Sequence, residues 1–342
     1  KLYVNGSQVT ALGTATYPSE NDSSRFNTAV AHEIGARNAG TFVNLYMSEV
    51  TFIDGSQLDA TSFGEFDEDS SIWKPIDGLA NLTPGSTGFY LDYKDSSALG
   101  ADVIGSNDFT AAGLAATDQS TDTCTNNFAT LNPLNNYWAA ATFSEGNLVY
   151  TSNNTGDYYG VATSTIGVSS GKWYFEAKNS TNTDQGILGI TSRNKTSRPS
   201  WLGSTTQAYG YYSTGGTIRS NSQDTSYGAS YTANDIIGIY MDLDNNKMYV
   251  SDNGVLMNSG TGHTITAASL TDSGFYHFAV GDNSDSTQVW QCNFGGTSGF
   301  AISSAVTDDN GFGAFEYSPN ITGDSVAKKF YALCTKNLAE FG

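Results

Sequence analysis

GKWYFEAK, residues 171–178, opens with a glycine and continues as a β-prone run. It is one of eight such runs that follow each other closely from residue 137 onward. The others are GNLVYTS (146–152), GILGIT (186–191), AYGYY (208–212), DIIGIYMDL (235–243), KMYVS (247–251), FYHFAV (275–280) and QVWQCNF (288–294). Turn dipeptides separate them: Asn245-Asn246, Asn253-Gly254 and Asp282-Asn283. Short strands at close, turn-punctuated spacing predict an antiparallel β-sandwich. No repeat of equal length is visible, which argues against a solenoid or propeller.

Outward from this block, strand signals reappear near the start of the chain. KLYVNGSQVT (1–10) places Asn5-Gly6 between two β-prone runs. Both central positions of a tight hairpin turn need positive φ, so this predicts a hairpin. TFVNLYMSEVTFI (41–53) alternates over much of its length and ends at the Asp54-Gly55 turn; GFYLDY (88–93) alternates again. Between residues 100 and 136 the chain is rich in Asp, Thr, Ala and Asn and weakly periodic. Phe109–Thr117 has a helical cast, but an irregular connector is the expectation. The expected organisation is a module at 1–100, a connector at 101–136, a second sandwich at 137–300 and a C-terminal extension at 301–342. The fold class is all-β, built of antiparallel jelly-roll sandwich modules.

Composition supports this reading and removes several functions. The 342 residues are 38% hydrophobic and 13% aromatic, enough for packed cores. Only 14% are charged, so solubility rests on Ser, Thr, Asn and Asp, which favour turns and strand faces over helix interiors. The net charge is −19. Residues 1–136 carry 5 basic and 17 acidic side chains (net −12) and the rest 10 and 17 (net −7), so no basic segment is concealed. Neutralising phosphates requires Lys and Arg, so neither nucleic acid nor an anionic membrane surface is an expected partner. Such charge instead keeps a protein dispersed in a crowded assembly or a salty medium. No stretch has the apolar length to span a bilayer, so membrane insertion is not expected. The chain starts with a strand rather than Met or a signal pattern, so a trimmed or processed product with an upstream beginning is the expectation. Cys124, Cys292 and Cys334 are widely spaced and odd in number, which suits buried free thiols better than disulfides or zinc.

Six motifs resemble the SPRY (B30.2-like) pattern in order over roughly residues 137–300. They are Gly171–Glu176, Gly186–Gly189, Tyr209–Tyr212, Asp235–Asp242, the Asp252-Asn253-Gly254 hairpin and Asn293-Phe294-Gly295. The resemblance implies a two-sheet sandwich that binds partners through loops at one end and is not catalytic. Tyr3–Gly6, Ile34-Gly35 and Val50–Gly55 resemble the second half of a laminin-G or concanavalin-like jelly roll, whose first half would lie upstream of Lys1. Phe63–Pro75, Gly88–Leu91, Asn107–Phe109, Asn127–Pro133 and Ala332–Leu338 are similar to linkers of bacteriophage fibre and virion-surface proteins. Gly295–Val326 departs from the pattern like an insertion.

Candidate chemistry is sparse. His32, His263 and His277 are far apart and none has a Cys or His at ligand spacing, so structural roles are preferred to a triad or metal site. The acidic loop with Asp59, Glu65, Asp67, Glu68 and Asp69 lacks the ordered pattern of a calcium loop and reads as a solvated surface. Asp242, Asp244 and Asp252 sit at hairpin turns, where Asp caps backbone groups. Glycoside hydrolysis needs two carboxyls across a cleft, and nothing in the sequence singles out a pair. No catalytic residue, metal or cofactor is assigned. Trp73, Trp173 and Trp290 read as core.

The binding candidates are Arg198, Trp201, Tyr211, Tyr212 and Arg219, because Arg, Trp and Tyr dominate binding hot spots. The competing reading is packing: Tyr211 and Tyr212 must point to opposite faces of a strand, one inward and one to solvent, and Trp201 can plug the sandwich edge. The resemblance implies a virion-surface tail or head fibre, an extracellular adhesin whose loops bind a host-surface glycan or protein beside other virion proteins. A non-binding spacer or decoration protein of a capsid or appendage is the second expectation and a polysaccharide depolymerase the third. Fibres of this kind are often homotrimers; no heptad repeat specifies a coiled coil, and the oligomeric state stays open.

Overall fold

A chain this poor in helix formers pairs its backbone groups between strands. The computed structural model describes the chain except residues 21–26, 39, 44, 46, 67–72, 77–81, 120–121, 124–125, 137–140, 153–158, 182–184, 193–200, 284–286 and 323–327, and the side chains of residues 117 and 136. It divides into two compact units, 1–119 and 120–342.

The first unit contains β1 (Tyr3–Val4), β2 (Ser7–Gln8), β3 (Ala36–Arg37), β4 (Thr41–Phe42), β5 (Val50–Phe52), β6 (Gly64–Phe66), β7 (Trp73–Pro75) and β8 (Phe89–Leu91). They pair as four separate two-stranded antiparallel sheets: β1 with β2, β3 with β4, β5 with β8 and β6 with β7. No jelly roll joins them among the described residues. The Asn5-Gly6 hairpin forms as read, with φ of 48° and 74° and Val4 opposite Ser7. The long strand read over 41–53 is not continuous among the described residues: 41–42 pair with β3, Val43 N–H donates to the Gly35 carbonyl, 50–52 pair with β8, and Glu49 sits in the left-handed region at φ 54°. Trp73 is half-buried against Phe66, where core burial was expected. The buried apolar residues here are Tyr90, Leu91 and Leu99. Asp102 ties that patch together, accepting bonds from the backbone of Tyr90 (2.9 Å) and Asn107 (3.1 Å).

The second unit begins with β9 (Leu131–Asn136), β10 (Thr142–Ser144), β11 (Val149–Thr151), β12 (Val161–Ser164), β13 (Lys172–Asn179) and β14 (Gly186–Thr191). It continues with β15 (Ala208–Tyr212), β16 (Thr217–Ser220), β17 (Gln223–Ser226), β18 (Ile236–Asp242) and β19 (Lys247–Asp252). The last elements are β20 (Val255–Leu256), β21 (His263–Thr264), β22 (His277–Asp282), β23 (Val289–Asn293), β24 (Tyr331–Ala332) and a seven-residue helix, α1 (Thr335–Phe341). A seven-stranded sheet runs β17-β16-β15-β14-β22-β12-β9. A nine-stranded sheet runs β10-β11-β23-β13-β18-β19-β20, with β21 beside β19 and β24 beside β13.

Side-chain alternation explains why the two sheets face each other. Trp173, Phe175 and Ala177 of β13 and Ile237, Ile239 and Met241 of β18 point inward against Leu188, Ile190, Tyr211 and Phe278 of the other sheet. Phe175 stacks on Phe278 at 5.1 Å, spanning the layers. Trp173 and Trp290 are fully buried in this core.

Both outer faces are also covered. Tyr174, Tyr240 and Tyr249 on the nine-stranded sheet pack under Phe315, Ile321, Phe330 and Ala332. The residues read as an extension thus form a third layer, and β24 runs parallel to β13 at Trp173 and Tyr174, beside the half of β13 that β23 leaves unpaired. Residues read as connector also belong here: Ala129 and Leu131 enter the core, and β9 pairs with β12. On the seven-stranded sheet, Leu202 covers Val161, Ile187, Ala208, Tyr212 and Ala279.

Candidate functional site

Of the binding candidates, Tyr212 and Arg219 lie on the outer face of the seven-stranded sheet, on β15 and β16. Tyr211 departs from the expectation of a binding residue. It is fully buried in the inter-sheet core, its hydroxyl bonded to the Ala229 carbonyl and its ring stacked on Tyr231, so it presents nothing to a ligand. Its neighbour Tyr212 points the other way, as alternation demands, yet it too is buried. Solvent was expected there, but Leu202 and Arg219 lie over that face. Trp201 is half-buried. Arg198 lies outside the described residues.

Arg219 organises the patch. Its guanidinium lies 3.7 Å above the Tyr212 ring. It also forms a two-pronged pair with Asp224, Nε to Oδ1 at 2.7 Å and a terminal nitrogen to Oδ2 at 3.2 Å. The β16–β17 hairpin makes this possible: Asn221 and Ser222 both take positive φ in its two-residue turn, which sets Arg219 directly opposite Asp224. The Tyr212 hydroxyl donates to Gln185 Oε1 at 2.7 Å, and Trp201 meets Tyr159 edge-on at 5.1 Å. Tyr159, Gln185 and Asp224 were missed in the sequence. Asp224 was readable there, through its register across the Asn221-Ser222 turn.

Stacking on Tyr212 and pairing with Asp224 restrict the rotamer freedom of Arg219, and a planar guanidinium suits stacking and hydrogen bonding. Among the described residues, no nucleophile stands beside a base here.

Ionisable groups elsewhere are structural. Glu176 is fully buried on β13 and accepts from Tyr174 Oη (2.9 Å), Asn293 Nδ2 (3.1 Å) and the backbone of Glu316 (3.0 Å) and Tyr317 (2.7 Å). Burial outweighs these donors and pushes its carboxyl up to about 7. An acid whose folded value lies above its unfolded one contributes stability that is complete below about pH 4.5 and is lost as pH rises through 7. Denaturant titrations of wild type and Glu176→Gln should therefore diverge over that window by on the order of 3 kcal/mol. Parallel curves would show that the group carries no such coupling.

His277 Nδ1 lies 3.0 Å from the Ser164 carbonyl, and His263 packs near Tyr209 and Tyr227; burial lowers both. His32 Nδ1 lies 2.8 Å from the Val30 carbonyl. Asp242 accepts from Asn245 and closes its turn, whereas Asp244 accepts from the distant Gly171 amide and pairs with Lys172. Asp59 pairs with Lys1 and Glu65 with Lys74, while Asp67, Glu68 and Asp69 lie outside the described residues. Among the described residues, no three His, Cys, Asp or Glu side chains come together as metal ligands. Cys292 and Cys334 are buried free thiols, pushed up by burial; Cys124 lies outside the described residues. No helix among the described residues is long and apolar enough to cross a membrane.

No curated protein matches the sequence. Among solved structures, the chain is similar to the SPRY domain of human HERC1, at 14% identity and a TM-score of 0.38, over 47% of this chain and 96% of that one. The SPRY domain family profile matches residues 172–297, the span from the first residue of β13 to just beyond β23. Since that span also holds the six ordered motifs and the core strands of both sheets, residues 172–297 are a SPRY domain, of a kind that typically serves protein interaction.

Proposed function

We propose that this chain is a non-catalytic recognition protein that engages a partner with Trp201 and Arg219 as its anchors. The observation that carries the reading is an asymmetry of the sandwich. The outer face of the nine-stranded sheet lies under Phe312, Phe315, Ile321, Phe330 and Ala332, whereas the other sheet carries on its outer face the Arg219 guanidinium stacked on Tyr212, and the half-exposed Trp201 and Tyr159 rings meet edge-on. Affinity at such patches comes from a few aromatic and Arg anchors.

The setting we propose is a virion surface, where the chain acts as a fibre adhesin toward a host-surface protein or glycan. Support comes from the fibre-like linker motifs, the SPRY domain and the net charge of −19, which suits a dispersed, crowded particle surface. The test applies purified protein to glycan arrays and to a panel of bacterial cells. Trp201→Ala and Arg219→Ala should each weaken binding about 10-fold or more, the scale of a hot-spot truncation. Equal binding by wild type and both variants would remove the patch from the site, and failure of the wild type to bind any surface would favour a spacer role.

A further inference from the structure

The third layer is hooked to the nine-stranded sheet by a buried carboxyl group. Glu176 stands on the outer face of β13, between Gly238 of β18 and Asn293 of β23. Two of its four bonds reach into the layer, to the backbone N–H groups of Glu316 and Tyr317. The other two stay in the sheet, to Tyr174 and Asn293. Asn293 adds a hook of its own, with Nδ2 donating to the Ala314 carbonyl at 2.9 Å. Residues 314–317 therefore dock on one carboxyl and its neighbour, and the layer keeps Tyr174 and Tyr240 out of water. The Phe315 ring meets that of Tyr174 edge-on at 4.9 Å.

No positive charge balances this point. The titratable groups facing Glu176 are Tyr174 from β13, Tyr240 from β18, and Glu316 and Tyr317 from the layer. Asp235 and Asp252 lie near Tyr317 as well. All of these are neutral or acidic. The lysines of this face turn elsewhere: Lys178 lies 5.3 Å from the Phe300 ring centroid, Lys328 lies 5.6 Å from that of Tyr249, and Lys329 pairs with Asp309.

A neutral acid fits the same geometry without losing a bond. Three of the four partners are N–H groups, which can only donate, but Tyr174 offers a hydroxyl, which can reverse. Its oxygen then accepts from the protonated carboxyl while its hydrogen turns to Tyr240, to which it is also bonded. The Tyr240 hydroxyl donates onward to the Ser318 carbonyl at 3.1 Å. An ionised Glu176 keeps its four donors but holds its charge away from water, beside other acidic groups. Opening of the layer hydrates that charge and breaks the bonds to Glu316 and Tyr317.

We infer that Glu176 and the layer over it form a proton-operated latch: with the carboxyl neutral, residues 314–321 stay closed on the sheet, and loss of the proton opens them and bares Tyr174 and Tyr240. Burial raises the carboxyl to about 7 in the closed form, whereas water in the open form returns it toward 4.5. The closed form thus binds the proton more tightly, so closure is complete below about pH 4.5 and weakens as pH rises through 7. In acid the aromatic face is sheathed; in neutral to alkaline medium it is offered to an apolar partner surface. The latch does not depend on what Trp201 and Arg219 bind, since Arg219 lies on the other sheet.

The experiment is hydrogen exchange on the full chain at about pH 5 and about pH 8.5, scored as protection factors so that the intrinsic pH dependence of exchange cancels. Protection at Phe315, Glu316, Tyr317 and Ile321 should fall on the order of 100-fold between the two, at tenfold per unit of the carboxyl's rise. Protection of β14 should stay level. Glu176→Gln has no proton to lose and should flatten the profile. Equal protection of the layer at both pH values overturns the latch. So does a parallel loss in β14, or a Gln variant that keeps the wild-type fall. Should the Gln chain fail to fold, the wild-type comparison of the layer with β14 decides alone.

Discussion

Replacing Trp290 by alanine is expected to cost the second unit about 3–5 kcal/mol, enough to unfold a marginal domain at room temperature. Trp290 is fully buried on β23. It stands opposite Tyr150 on one side and Asn179 on the other, so truncation opens a cavity between three strands. Its indole nitrogen also donates to the Gly281 carbonyl at 2.8 Å, a bond from the nine-stranded sheet to β22 of the opposing one. The alanine variant leaves that carbonyl without this donor in a buried site. At an m-value of about 2–3 kcal/mol/M, the urea midpoint should fall by roughly 1–2 M. Trp290→Phe retains most of the volume and loses mainly the hydrogen bond, so it should fall between the two. Phenylalanine as damaging as alanine would mean that the bond, and not the packed volume, ties the layers.

The second large effect belongs to Asp308, and it should be local. This buried carboxylate receives four donors. Oδ1 accepts from the backbone of Asn310 (3.0 Å) and Phe312 (2.9 Å), and Oδ2 from the Ala332 amide (2.9 Å) and Asn337 Nδ2 (2.7 Å). One side chain therefore fixes a loop, the strand β24 and the helix α1 at once. Alanine abandons all four donors in a dry site and should cost about 3 kcal/mol. Because the inter-sheet core is untouched, the loss should appear as opening of the third layer. Limited proteolysis within residues 301–342 should accelerate on the order of 100-fold while the sandwich stays intact. Asp308→Asn keeps one acceptor oxygen and should be intermediate. Uniform loss of both layers would refute this division of labour.

The sequence was most legible where strands are apolar and edged by turns. GILGIT and AYGYY coincide with β14 and β15 residue for residue, because strands buried on both faces leave continuous runs. β16 and β17 went unread because β17 is Gln-Asp-Thr-Ser, exposed at all four positions, so no hydrophobic period marks it. Only the Asn221-Ser222 turn betrays the hairpin. The third layer was illegible for a different reason. Phe315, Ile321 and Phe330 are isolated apolar residues in polar sequence, held by carboxylates and not by a repeating pattern. Of the site, Trp201 and Arg219 were legible as residue types and Tyr212 as their neighbour. Alternation tells which face a tyrosine takes but not what lies over that face, which is why Tyr212 is covered where solvent was expected. In 41–53 the pattern outran the pairing found among the described residues.

The parallel pairing of β24 with β13 has a consequence for how the protein is made. Translation delivers Trp173 and Tyr174 more than 150 residues before the partners Tyr331 and Ala332 emerge. Until then the outward tyrosines of β13, β18 and β19 are bare on the nascent chain, and the sandwich can close only around an unfinished sheet. Emergence of Phe315 to Ala332, rather than completion of the SPRY span at residue 297, is the step that covers that face, and a chain truncated before Phe312 would leave an adhesive surface behind.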